Sequence, residues 1–85
     1  MTKTITVRYF ASIREAMSTG EETWATMAPT VAALRQELAG RSAQAALALA
    51  EDQPHRLALN QTMCPPDAPI APGDEVAFFP PVTGG

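Results

Sequence analysis

The sequence predicts an α+β domain in which a mixed sheet of about five strands carries one main helix across one face. Three observations point there. Residues 4–10 alternate, with Ile5, Val7 and Tyr9 on one side and Thr4, Thr6 and Arg8 on the other, as a strand with one buried face requires. Val31, Leu34 and Leu38 recur at i, i+3 and i+7, which is one face of a helix. Val76–Phe79 is a short apolar run ending in two aromatics, the signature of a buried strand. The first and last strands are the most apolar, so they are expected to lie side by side at the centre. The long chain between them suits a parallel pair.

The remaining elements follow in order. Ser12 is placed to cap a short helix carrying Ile13 and Met17 on one side, and Gly20 to end that segment. Residues 21–27 read as a second strand whose largest side chain, Trp24, is expected to face the core. Thr30 is a good N-cap for the main helix and Gly40 is placed to stop it, with Arg35, Gln36 and Glu37 covering its outer side. Residues 42–50 are rich in alanine, which favours a short helix over a strand. Residues 56–59 and 62–64 read as short strands joined by a turn at Asn60-Gln61. Pro65-Pro66-Asp67-Ala68-Pro69 excludes regular structure, and Pro72-Gly73-Asp74 forms the turn into the last strand.

The 85 residues make one domain, read as residues 1–79 with an extended tail over residues 80–85. The net charge is −3 and the six basic residues are scattered, so nucleic acid is not an expected partner. No apolar run reaches the roughly 18–20 residues that span a bilayer, and the opening residues alternate as no signal peptide does. A single cysteine, Cys64, rules out an internal disulfide. Together these features suit a cytoplasmic protein that meets no membrane.

Conventional catalytic and metal sites are missing. His55 is a lone loop histidine, expected to be solvated. Cys64 has no metal-spaced companion, so no zinc site is expected, and between Met63 and Pro65 it reads as an inert, partly buried thiol. Glu21-Glu22 and Asp74-Glu75 are adjacent carboxylates, which point to opposite faces of a strand and form no catalytic pair. No phosphate-binding glycine motif or nucleophile elbow is present. The chain is expected to catalyse nothing alone and to hold no cofactor.

Its end is different. Pro80 forces Phe79 to stay extended and stops the strand. Pro80-Pro81 favours the polyproline conformation, a semi-rigid stem, and Pro80 to Gly85 reach about 20 Å at roughly 3.3–3.6 Å per residue. Val82-Thr83 lead to Gly84-Gly85, a tip without side chains that can thread a narrow pocket and present its carboxylate. Glycine makes up about 7% of residues, so roughly one chain in 200 ends in Gly-Gly by chance. The dipeptide therefore says little without the strand and stem before it. A free carboxylate is a poor acyl donor. As an acyl adenylate it has a good leaving group, which sulfur can displace to give a thiocarboxylate.

The whole run Gly73-Asp74-Glu75-Val76-Ala77-Phe78-Phe79-Pro80-Pro81-Val82-Thr83-Gly84-Gly85 resembles the ending of the small, sulfur-carrying subunits of molybdopterin synthase (MoaD type), which have the ubiquitin-like β-grasp fold. Tyr9-Phe10-Ala11 with Arg14-Glu15, Pro29-Thr30-Val31 with Ala33-Leu34-Arg35, and Leu59-Asn60-Gln61-Thr62 extend the resemblance over essentially the whole chain. Met63-Cys64-Pro65-Pro66 departs from it in being unusually proline-rich. The resemblance implies that a ubiquitin-activating-like adenylyltransferase spends ATP to activate Gly85, and that a sulfur donor enzyme completes the thiocarboxylate. It also implies that the tail enters the large catalytic subunit, within a heterotetramer of two small and two large subunits, and passes sulfur to cyclic pyranopterin monophosphate to build a dithiolene. Gly84, Thr83, Val82, Pro81 and Pro80 would thread the tail. Two alternatives share the Gly-Gly end: a sulfur carrier for thiamine or nucleoside thiolation, and a ubiquitin-like modifier joined to lysines. A plain interaction module with an idle tail is the third. In the last strand Val76 and Phe78 share one face and Ala77 and Phe79 the other. Phe79 is expected on the open face, with Ala77, as the partner's grip.

Overall fold

Parallel pairing of the first and last strands organises the fold. The computed structural model describes residues 2–50 and 55–80. Along the chain come β1 (Lys3–Tyr9), α1 (Ala11–Met17), β2 (Glu21–Thr26), α2 (Val31–Ala39), α3 (Ala43–Ala48), β3 (Arg56–Leu59), β4 (Thr62–Met63) and β5 (Glu75–Phe79). They build a five-stranded sheet in the order β2-β1-β5-β3-β4. β1 and β5 run parallel, with Val7 opposite Val76 and Tyr9 opposite Phe78. β2 pairs antiparallel with β1, β3 with β5, and β4 with β3. The arrangement is the mixed α+β sheet that the alternation predicts.

One face of the sheet is covered. Ile5, Val7 and Tyr9 of β1, Val76 and Phe78 of β5 and Leu57 of β3 pack with Val31, Leu34 and Leu38 of α2, Ile13 of α1 and Leu49 in a single core. Full burial of a side chain such as Phe78 or Leu34 stabilises by about 1.5–3 kcal/mol. The tyrosine is accommodated because its hydroxyl donates to Glu22 Oε2 at 2.7 Å.

The main helix starts and stops where the sequence places it. Thr30 Oγ1 accepts from the Ala33 amide at 3.2 Å, and the Gly40 amide donates to the Gln36 carbonyl at 3.1 Å. The proline-rich loop completes the cap. The Ala68 and Pro66 carbonyls accept from the Val31 and Ala32 amides at 3.0 and 2.8 Å, so amides that a helix start leaves unpaired are satisfied.

Several local expectations are corrected. Phe10, not Ser12, is the N-cap of α1 and supplies no side-chain bond. Ser18, in the left-handed conformation at φ 62°, ends that helix before Gly20 is reached. Trp24 does face the core, as expected, packing against it half-buried, with its indole N–H donating to Glu37 Oε1 at 2.7 Å and Arg41 over its ring at 4.6 Å. In the third helix, started by Ser42 accepting from Ala45, Leu47 is 74% exposed while Leu49, just past its end, is fully buried.

Arg35 is the largest departure. It is 8% exposed rather than part of the outer side of α2. Its guanidinium donates to the Leu49 carbonyl at 2.8 Å, to the Ala50 carbonyl, and to His55 Nδ1. A buried cation requires such a set of acceptors. The same contacts take His55 out of open solvent.

Candidate functional site

The site is assembled around the point where β5 ends. Pro80 is the last described residue of the stem. The expected roles of Pro81, Val82, Thr83, Gly84 and Gly85 lie outside the described residues, and the structure supplies what stands at their root.

Two aromatic doublets meet there. Tyr9-Phe10 ends β1 and Phe78-Phe79 ends β5. Because the strands are parallel and in register, Tyr9 and Phe78 both turn into the core, their rings 6.2 Å apart. The following residue of each doublet turns to the other face. There Phe10 and Phe79 stack at 4.5 Å with 9° between their planes. Phe78 is fully buried and Phe79 half-buried. The Phe10 amide donates to the Phe78 carbonyl at 3.3 Å, which ties the two strand ends together. The sequence reading singled out Phe79 and missed Phe10. The paired doublets were the available signal.

The neighbouring rows on this open face are set by the same register. Arg56 stands opposite Phe79, and Ala77 stands between Arg8 of β1 and Ala58 of β3. Ala77 is only 5% exposed, so it forms the floor of the patch rather than a projection. Met63 pairs with Ala58 and is 57% exposed, extending the apolar strip to the edge strand. Arg8 lies over the Phe10 ring at 5.2 Å. Its ion pairs with Glu21 and Glu75 are long, 3.6 and 3.9 Å, and such exposed pairs contribute little to stability. The result is an aromatic and aliphatic strip with cations at its margin, directly beside the departing tail.

On the other side of the same root lies a cleft of about 270 Å³ between α1 and α3, lined by Ile13, Ala16, Leu47, Ala48, His55 and Pro80 among others. Pro80 thus leaves the domain between an open-face strip and a small apolar cleft.

Away from this end, the remaining polar residues serve the fold. Asn60 accepts from the Glu75 amide at 3.0 Å and donates to Asp74 Oδ1 at 3.1 Å, while Asp74 Oδ2 accepts from the Ala71 amide at 2.8 Å. The carboxylates of the Asp74-Glu75 pair therefore hold turns and ion pairs. Cys64 is half-buried, and burial pushes its thiol pKa up, which makes it a weaker nucleophile. Among the described residues no group of three or more His, Cys, Asp and Glu side chains could hold a metal ion. No helix among them is long and apolar enough to cross a membrane.

Comparison with known proteins extends the geometry. The ThiS family matches residues 7–85. The chain is 52% identical, over 81 residues, to the protein of Escherichia coli K12 named molybdopterin synthase sulfur carrier subunit. The match covers 95% of this chain and 99% of that protein. Among solved structures, the Haloferax volcanii HVO 2177 protein superposes with a TM-score of 0.84 at 27% identity, covering 99% of this chain and 88% of that one. A chain from the complex of subunits 1 and 2 of the molybdopterin-converting factor of Helicobacter pylori superposes at 0.59 with 25% identity, covering 96% and 99%.

Proposed function

The chain belongs to the ThiS family, and from that membership and the geometry of the tail root we propose that it is the sulfur carrier subunit of a molybdopterin synthase. The observation that carries this reading is the near end-to-end match to a carrier of that name, at 52% identity over 95% of the chain. The chain contributes a reacting group and a docking surface, and its partners contribute the catalysis.

The Gly85 carboxylate is first converted to an acyl adenylate by an ATP-dependent adenylyltransferase. A sulfur donor then displaces AMP and leaves a thiocarboxylate. The chain holds no ATP itself. Its part is to deliver a tip without side chains, on a stem that Pro80-Pro81 stiffens, into the active site of a large subunit. The Phe10–Phe79 stack and the strip running to Met63 would seat that subunit beside the tail. Aromatic anchors of this kind dominate binding energy when a partner dries them. The H. pylori relative, solved with its second subunit, supports such an assembly. A heterotetramer of two small and two large subunits is the form we propose.

The acceptor we propose is cyclic pyranopterin monophosphate, and the product its dithiolene. A dithiolene needs two sulfurs, and each carrier brings one. Titrating thiocarboxylated chain into large subunit and precursor should therefore yield one dithiolene for every two carriers consumed, read by mass spectrometry of carrier and pterin together. Thiocarboxylate that persists in the presence of both would remove the proposal for this pathway.

A further inference from the structure

We infer that Arg8 and Arg56 are specificity-determining residues of the docking strip, and that they fit a partner surface with an apolar recess for the Phe10–Phe79 pair and carboxylates at its rim. The inference rests on the reading of that strip as the seat of the large subunit. It adds the chemistry that subunit must present, which an aromatic pair alone does not specify.

The two arginines bracket the aromatics. Side chains two apart on a strand share a face, so Arg8 and Phe10 stand together on the open side, and the guanidinium lies over the Phe10 ring at 5.2 Å. Across the sheet Arg56 stands opposite Phe79. The stacked rings therefore have one arginine on the β1 side and another on the β3 side. A specific interface covers about 800 Å² of each partner, against about 150–250 Å² for one whole aromatic side chain. A partner that covers the rings thus covers both arginines as well.

Neither cation is satisfied within the chain. Arg8 Nε is buried, yet among the described residues it meets no hydrogen-bond acceptor. Glu21 Oε1 stands 3.6 Å from Nε, and Glu75 Oε1 stands 3.9 Å from Nη1. Both distances exceed the roughly 2.7–2.9 Å of a charge-assisted hydrogen bond. Arg56 is exposed, and among the described residues no hydrogen bond or ion pair engages it. A guanidinium is all donor and accepts nothing. A partner that strips water from these donors must supply acceptors, or the complex loses their solvation without return. A carboxylate answers best, because its two oxygens match the guanidinium fork. An apolar surface that fitted the rings equally well would leave both cations stranded, and a cationic one would be repelled. The arginines therefore separate surfaces that the aromatics cannot tell apart. Glu21 and Glu75 beside Arg8, in a chain of net charge −3, count against a polyanion such as single-stranded nucleic acid.

The test measures binding of the full chain to the large subunit by calorimetry, at about 50 mM and about 500 mM salt. Wild type is compared with the double variants Arg8→Gln/Arg56→Gln and Arg8→Lys/Arg56→Lys, each shown to be folded by circular dichroism. At low salt we expect the glutamine variant to bind on the order of tenfold or more weakly than wild type, and the lysine variant to stay within roughly threefold of it. At high salt wild type should weaken and the glutamine variant should approach it. A glutamine variant with wild-type affinity at low salt would overturn the inference. Equal losses in both variants at both salts would also overturn it, since lost packing of the arginine stems produces that pattern. So would displacement of the large subunit by a single-stranded oligonucleotide. A wild type that binds no large subunit removes the reading of the strip, and the inference falls with it. Binding that ignores the arginines removes the inference alone.

Discussion

Phe79 and Tyr9 show how one residue's face decides its role. Phe79 is half-buried, stacked on Phe10 and turned away from the core. Replacing it with alanine should therefore leave the fold standing and weaken binding of the large subunit by about 2 kcal/mol or more, measured by calorimetry. An unfolded variant, or one with unchanged affinity, would mean that the grip lies elsewhere. Tyr9, one strand row away, faces inward and is the single tyrosine of the chain. Burial, then the hydrogen bond and negative charge of Glu22, push its phenol pKa above the ordinary value of 10.0. The unfolded chain therefore releases this proton more readily than the folded one. The stability Tyr9 contributes is complete below about pH 10 and is lost as pH rises through the higher folded value. Urea midpoints should fall between pH 9 and 11 in wild type and fall less in Tyr9→Phe.

At the scale of the element, backbone conformation sets the costs. The β3–β4 turn holds Asn60 at φ 52° and Gln61 at φ 67°, both left-handed. Asparagine adopts that region more readily than glutamine, which does so at a cost, so Gln61→Gly should stabilise the chain by about 0.5–1 kcal/mol, read from the denaturation midpoint. The same elements show what the sequence could reveal. Strong periodicity made β1, α2 and β5 legible, together with the Thr30 cap and the Gly40 stop. Alternation alone separates Phe78 from Phe79. Less was readable where a long-range partner decides. Nothing local marks Arg35 as buried, because its acceptors at residues 49, 50 and 55 are distant in sequence. The polar partners of Trp24, Glu37 and Arg41, likewise come from beyond its own strand. In the alanine-rich helix, a short apolar run could not tell which of Leu47 and Leu49 would be covered.

At the scale of the whole molecule, the topology sends its functional parts to one end. The parallel β1–β5 pair brings two aromatic doublets together, turns one ring of each outward, and releases the stem between that strip and the α1–α3 cleft. The opposite end carries the turn network of Asn60 and Asp74 and the single lysine. The family was legible because the residues that carry the resemblance run in order along the chain. Phe10's place beside Phe79 was not, because 68 residues intervene between the two. The central claim is that Gly85 carries sulfur, and intact-mass measurement addresses it directly. The chain would be incubated with its adenylyltransferase, ATP, magnesium and a sulfide source, then fragmented. Exchange of one oxygen for sulfur, confined to the C-terminal peptide and absent from a chain lacking Gly85, is the predicted result. No exchange, or exchange that survives removal of Gly85, would contradict it.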